Sequence, residues 1–187
     1  MTLIDRYLPR YQFHEHHSRP LAATPARAMA AVQAYRPEQD PFFRRAIALR
    51  ELPVRAFNQL RARPTPTRPP FGLDDFTLLE RDGDRELAYG LIGRFWRAGY
   101  DLIPCADGPA FLACQDSGAA RLVINFAIAP QPDGQLLLST ETRVYCPDRA
   151  SLLRFAPYWA LIRPVSGWIR RRMLAGIAQG AQARPQD

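Results

Sequence analysis

A chain of 187 residues that is 47% hydrophobic, 11% aromatic and 23% charged has the size and composition of one globular domain, not of a disordered, fibrous or disulfide-scaffolded protein. All 25 basic residues are arginine, which excludes every chemistry that needs an ε-amino group: P-loop phosphate binding, kinase phosphate anchoring, pyridoxal Schiff bases and Ser-x-x-Lys acyl transfer. The net charge of +7 favours an anionic partner, although a coding preference for arginine would produce the same composition.

Residues 1–10 carry Asp5, Arg6, Pro9 and Arg10 where a signal peptide has an apolar run, and are expected to form an N-terminal arm. Tyr11 to Ala23 alternates loosely and reads as a strand with a polar middle of His14, Glu15, His16, His17 and Ser18. Thr24-Pro25 is a capping hydroxyl before a proline at the first helical position, and Ala28, Met29 and Val32 follow at helical spacing. Asp40-Pro41 repeats the device ahead of Phe43, Ala46, Ile47 and Arg50, predicting a second helix that ends near Leu52-Pro53. Residues 63–71, which open with Arg63-Pro-Thr-Pro-Thr-Arg-Pro-Pro70, read as a proline-rich loop inside one domain spanning 1–187.

Beyond that loop the period changes from 3.6 to 2. Phe76 to Leu79 and Glu86 to Trp96 flank the turn Arg81-Asp82-Gly83-Asp84, and Gly90 and Gly93 sit where a strongly curved strand needs bulges or bends. A short strand is expected at Phe111 to Cys114. Arg121 to Ala129 and Gln135 to Tyr145 flank Pro130-Gln-Pro-Asp-Gly134, the clearest hairpin signal in the chain. A slip of one residue would set Ile124 opposite Glu141, so the expected register pairs Ile124 with Thr142. Leu122, Ile124, Phe126 and Ile128 then share a face with Leu138, Thr140, Thr142 and Val144, while Arg121 and Asn125 share the other with Glu141 and Arg143. The last element is a long helix capped by Asp148, with an apolar stripe of Leu152, Phe155, Trp159, Ile162, Ile169, Met173 and Ile177. Pro157 and Pro164 are expected to kink or interrupt it.

The order of strand, two short helices, antiparallel strands and long C-terminal helix resembles the helix-grip fold of the START-like (SRPBCC) superfamily, which includes birch-pollen-allergen-like proteins and polyketide cyclases. The residues that carry the resemblance are His17-Ser18 ahead of Thr24-Pro25, Gly90-Leu-Ile-Gly-Arg-Phe-Trp96, Ser139-Thr-Glu-Thr-Arg-Val144 and Arg154-Phe-Ala-Pro-Tyr-Trp159, which look like segments of a bacterial branch of that superfamily. The resemblance spans roughly Tyr11 to Ala183 and implies an α+β fold with a curved antiparallel sheet wrapped around the C-terminal helix. It also implies a hydrophobic cavity between the two, used for lipids, polyketides, steroids or other apolar ligands; the two prolines in the gripping helix depart from the pattern.

The candidate cavity set is Tyr89, Phe95, Trp96, Asn125, Phe126, Glu141, Arg143, Phe155 and Trp159, in which the aromatics would form walls and Asn125, Glu141 and Arg143 would orient a polar group or act as acid and base. The expected function is binding of a small apolar or amphipathic ligand. Two alternatives are a cyclase- or hydratase-like enzyme built on Glu141, Arg143 and Asn125, and an interaction module that meets an anionic surface through Arg163, Arg170, Arg171 and Arg172. No cofactor is expected. His14 and His16 would stand about 7 Å apart on one strand face, compatible with two zinc ligands, but no third ligand can be placed, so no metal is expected. Cys105, Cys114 and Cys146 are odd in number and lack C-x-x-C spacing, which points to a reducing cytoplasm. The longest mostly apolar stretch, Leu122 to Ala129, is under half of the ~20 residues that cross a bilayer.

Overall fold

A computed structural model describes residues 1–36, 75–97 and 99–183. In chain order these form α1 (Leu3–Tyr7), β1 (Phe13–Leu21), α2 (Pro25–Ala34), β2 (Thr77–Asp82), β3 (Glu86–Gly93), α3 (Gly108–Ala113), β4 (Ala120–Pro130), β5 (Leu136–Tyr145) and α4 (Arg149–Gln182). The five strands make one open antiparallel sheet in the order β1-β5-β4-β3-β2, with α4 packed against it. This α+β architecture is compatible with a helix-grip fold. The helix expected from Asp40 and the proline-rich loop at 63–71 lie outside the described residues.

The β4–β5 hairpin has the expected register, with Ile124 opposite Thr142 and Asn125 opposite Glu141. Its turn is closed by Gly134 N–H donating to the Gln131 carbonyl at 3.0 Å, with Gly134 at φ +79°, where a side chain would be strained. The same parity assigns an inner face, toward α2 and α4, to Leu87, Leu91, Leu122, Ile124, Phe126, Leu138 and Val144. Two apolar clusters form there: one with α2 and the C-terminal half of α4 around Met29, Met173 and Ile177, the other around Phe155 and Trp159.

The outer face is covered too. Ala88, Ile92 and Val123 pack under Leu3, Ile4, Tyr7 and Leu8 of the N-terminus and under Phe111 of α3. The expected arm is therefore an ordered helix. Thr2 caps it, its side chain accepting from Asp5 N–H in a reciprocal box. Five residues cannot hold a helix alone; the buried Glu86 carboxylate accepts from Leu3 N–H at 2.8 Å and Ile4 N–H at 3.4 Å, so β3 supplies the missing partners.

Three further expectations are corrected. Phe111 to Cys114 is not a strand: Asp107 caps α3 by accepting from Ala110 N–H at 2.8 Å, with Pro109 in the first turn, and the four apolar residues were too few to set a period. Gly90 is not a bulge. The bulge lies in β2, between Leu78 and Glu80, and Gly90 instead lets Leu79 and Phe111 approach: a Cβ there would meet both at 2.8 Å. Finally, α4 runs without interruption through Pro157 and Pro164. Both prolines are exposed, as are Leu153 and Ala160, whose carbonyls lose their i+4 donors, so water can take the place of the missing bonds.

Candidate functional site

Strand β1 lies at the sheet edge beside β5, with Glu15 opposite Thr142 and His17 opposite Thr140. Strand alternation turns Glu15 and His17 inward with Phe13 and Leu21, and sends His14 and His16 outward, where both are exposed. Glu15 Oε1 and His17 Nε2 are 2.8 Å apart, with side chains only 11% and 17% exposed. A carboxylate–imidazole pair thus sits against the core, directly beneath α4. The helix reaches it because residue 167 is glycine: a Cβ there would overlap Glu15 Oε1 and come within 3.4 Å of His17 Nε2.

Beside the pair lies a cavity of about 40 Å³. Its polar lining is Glu15, Thr142, Ser166 and Arg170, and its aromatic wall is Phe76, Phe95, Phe155, Tyr158 and Trp159. Phe155 is the hub of that wall, with ring centroids of Phe13, Tyr158, Trp159, Phe95 and Trp96 between 5.0 and 6.3 Å from its own. Polar groups and aromatic rings in one lining form an environment that can orient an amphipathic molecule.

The nine residues expected in one cavity occupy three places. Phe95, Phe155 and Trp159 line it, and Trp96 packs on Phe155 behind it. Tyr89 and Phe126 are also on the inner face but meet edge to face, ring centroids 6.4 Å apart, in the other cluster. Asn125, Glu141 and Arg143 are on the outer face, away from α4. There Arg143 donates to Glu141 at 2.7 Å, to Asp5 at 2.8 Å and to the Leu8 carbonyl at 3.3 Å, and lies over the Tyr11 ring at 4.7 Å. Asn125 donates to Glu86 at 2.6 Å and accepts from Glu141 N–H at 2.8 Å. These three side chains tie α1 to the sheet. The hydrogen bond from Thr2, and after it the one from Arg143, lowers the Asp5 carboxyl below its ordinary pKa.

Sequence reasoning missed Glu15, Phe76, Thr142 and Ser166 of the lining and their neighbour His17, and it assigned Arg170 to an anionic-partner surface instead of the cavity. The arginine run divides as well, with Arg170 turned to the cavity and Arg163, Arg171 and Arg172 exposed. Cys146 is buried, and burial followed by the nearby Asp148 carboxylate pushes its thiol up to about 12, which suppresses the thiolate a nucleophile needs. Among the described residues no three His, Cys, Asp or Glu side chains converge as a metal site. A larger trough of about 770 Å³ between α2 and α4 is open to solvent; it is floored by residues such as Ala31 and Gly176 and rimmed by Arg27, Arg36 and Arg172, without an acid or nucleophile among its lining residues. No protein-family model and no curated protein matches the chain.

Proposed function

We propose that the protein binds a small amphipathic ligand between the inner face of the sheet and α4, as a member of the START-like superfamily that its sequence resembles. The observation that carries this reading is an aromatic-walled cavity whose lining also includes Glu15, Thr142 and Ser166, with Glu15 held from behind by His17, in an otherwise apolar interior. Polar groups are costly to place in a core unless they serve a partner or one another. At about 40 Å³ the cavity has room for water only, so an organic ligand enters as the helix segment over the cavity moves outward. That segment carries Pro157 and Pro164, each of which removes a backbone hydrogen bond of α4.

One observation favours a second reading, an enzyme. A carboxylate holding an imidazole at 2.8 Å is the arrangement of a general base and its orienting group. Glu15 and His17 would carry that chemistry, and Asn125, Glu141 and Arg143, on the other face, would not.

One experiment addresses both. Native and denatured masses of the purified protein are compared, for wild type, Ser166→Phe and His17→Asn. Ligand binding in the cleft predicts an extra mass that denaturation releases and that Ser166→Phe, filling the cavity, abolishes. The enzyme reading predicts in addition that the released compound is chemically altered on incubation with wild type and unaltered with His17→Asn. Extra mass retained in full by Ser166→Phe would place the ligand elsewhere and refute the reading.

A further inference from the structure

Helix α4 carries a second apolar stripe, on the side turned away from the sheet. Leu153, Leu161 and Trp168 are 63%, 54% and 50% exposed, and the exposed Pro157 and Pro164 lie between them. At about 100° and ~1.5 Å per residue, positions 153, 157, 161, 164 and 168 fall within an arc of about 80° and a length of about 22 Å. Three of the seven large hydrophobic residues exposed among the described residues belong to this strip, which is clustering and not the scatter normal on a soluble surface. The flanks are cationic. Arg149, Arg154, Arg163, Arg171 and Arg172 are exposed, and α4 contains no Asp or Glu from Arg149 to Gln182.

We infer that α4 docks the protein on an anionic lipid surface, with Leu153, Leu161 and Trp168 at the boundary of headgroups and acyl chains and the flanking arginines on lipid phosphates. The combination is that of an interfacial helix: an apolar strip, a tryptophan, basic flanks and no acidic residue within the helix itself. A nucleic acid would neutralise the arginines but leave the leucines in water. A protein partner is recognised through a central anchor ringed by weaker contacts, whereas here the apolar positions run straight along the helix, the shape that meets a plane. The helix is not apolar enough to cross a bilayer, so the contact lies along the surface. Docking needs no unfolding, because the inner stripe of the same helix stays on the sheet while the outer one meets lipid.

The test is co-sedimentation of the full-length protein with vesicles of phosphatidylcholine alone or mixed with phosphatidylglycerol. Binding is expected to the mixed vesicles and to be at least about tenfold weaker to neutral vesicles or at high salt. The triple variant L153Q/L161Q/W168Q lowers binding about tenfold or more, with circular dichroism and thermal midpoint near wild type as the control for folding; L153Q/L161Q, which leaves Trp168 and its contacts in place, lowers it in part. Arg163→Gln with Arg171→Gln weakens binding about fivefold per charge removed. Three results would overturn the inference: no binding to mixed vesicles, equal binding to neutral ones, or undiminished binding by the folded triple variant. Stripe-dependent binding to soluble heparin or polyglutamate at equal strength would overturn it as well, by assigning the face to a soluble polyanion.

Discussion

Glu86 is the residue whose removal tests the account of the outer face most directly. Its side chain begins β3, is 5% exposed as a residue, and accepts from three donors: Leu3 N–H at 2.8 Å, Ile4 N–H at 3.4 Å and Asn125 Nδ2 at 2.6 Å. Glu86→Ala leaves the buried Asn125 amide and the first N–H groups of α1 without this acceptor. A hydrogen bond to a charged group contributes about 1.5–3 kcal/mol, and breaking a buried charged network costs about 3–5 kcal/mol because its members are not additive. That loss is a large fraction of the ~5–15 kcal/mol of a typical domain. With a urea slope of about 2 kcal/mol per molar, the unfolding midpoint should fall by about 2 M. Glu86→Gln keeps one acceptor oxygen and should cost less, about 1–3 kcal/mol. Tryptophan fluorescence in urea measures the loss, and trypsin cleavage at Arg6 and Arg10 reports whether α1 has left the sheet. A Glu86→Ala protein that loses under about 1 kcal/mol and keeps Arg6 protected would refute this account.

Two other predictions bear on the same architecture. Gly90→Val inserts a better strand former, yet its Cβ would meet Leu79 and Phe111 at 2.8 Å, so overpacking should destabilise the fold by about 1–3 kcal/mol; a raised thermal midpoint would contradict that packing. At high pH, burial followed by the Glu80 contact holds the Tyr7 phenol up at about 12, above its ordinary value of 10.0, while Cys146 is held at about 12 above 9.0. Both groups are neutral below their unfolded pKa, so this contribution is fully present below pH 9 and is lost as pH rises toward 12. In all it is worth on the order of 4 kcal/mol for Cys146 and 3 for Tyr7. A pH series of circular dichroism should show a steep fall in stability between pH 9 and 12, and a disulfide reagent at pH 8 should leave Cys146 unmodified in the folded protein. Rapid labelling of Cys146 there would sink the assignment.

The β4–β5 pairing was legible because an error was costly: with Ile124 opposite Glu141, a one-residue slip would exchange core and surface along both strands. The stripe of α4 and the caps at Thr24 and Asp148 were legible for the similar reason that a local pattern and a local need coincide. Helix α1 was not, although Thr2 and Asp5 form a capping box, because it is five residues long and depends on Glu86, 83 positions away from Leu3. The candidate cavity was half legible. Its aromatic wall follows from side-chain type, but its polar lining required the facing of β1, where Glu15 and His17 turn inward between the apolar ends Phe13 and Leu21. The habit of sending polar residues outward drew attention instead to His14 and His16, which are exposed. Parity with Phe13 and Leu21 was the available signal, whereas nothing in the sequence singles out Gly167 as the point where α4 meets Glu15.

The two faces of α4 explain why its prolines sit where they do. A proline in a helix interior costs about 3 kcal/mol through its missing N–H and the clash of its ring, and more where the orphaned carbonyl is also buried; the inner face is fully committed to Phe155, Trp159, Ile162 and Ile169. Pro157 and Pro164 point the other way, between Leu153, Leu161 and Trp168, where water reaches the carbonyls and the rings add apolar surface. On that side they weaken the backbone ladder without disturbing the packing beneath. The weakened stretch carries Tyr158, Trp159 and Ile162, three residues of the cavity lining. A ligand that needs more than 40 Å³ must displace this stretch, and a lipid surface that engages Leu161 acts on its opposite side. Opening of the cavity and contact at the outer face therefore load the same two turns of helix, so the two proposals, tested separately, are mechanically coupled if both hold.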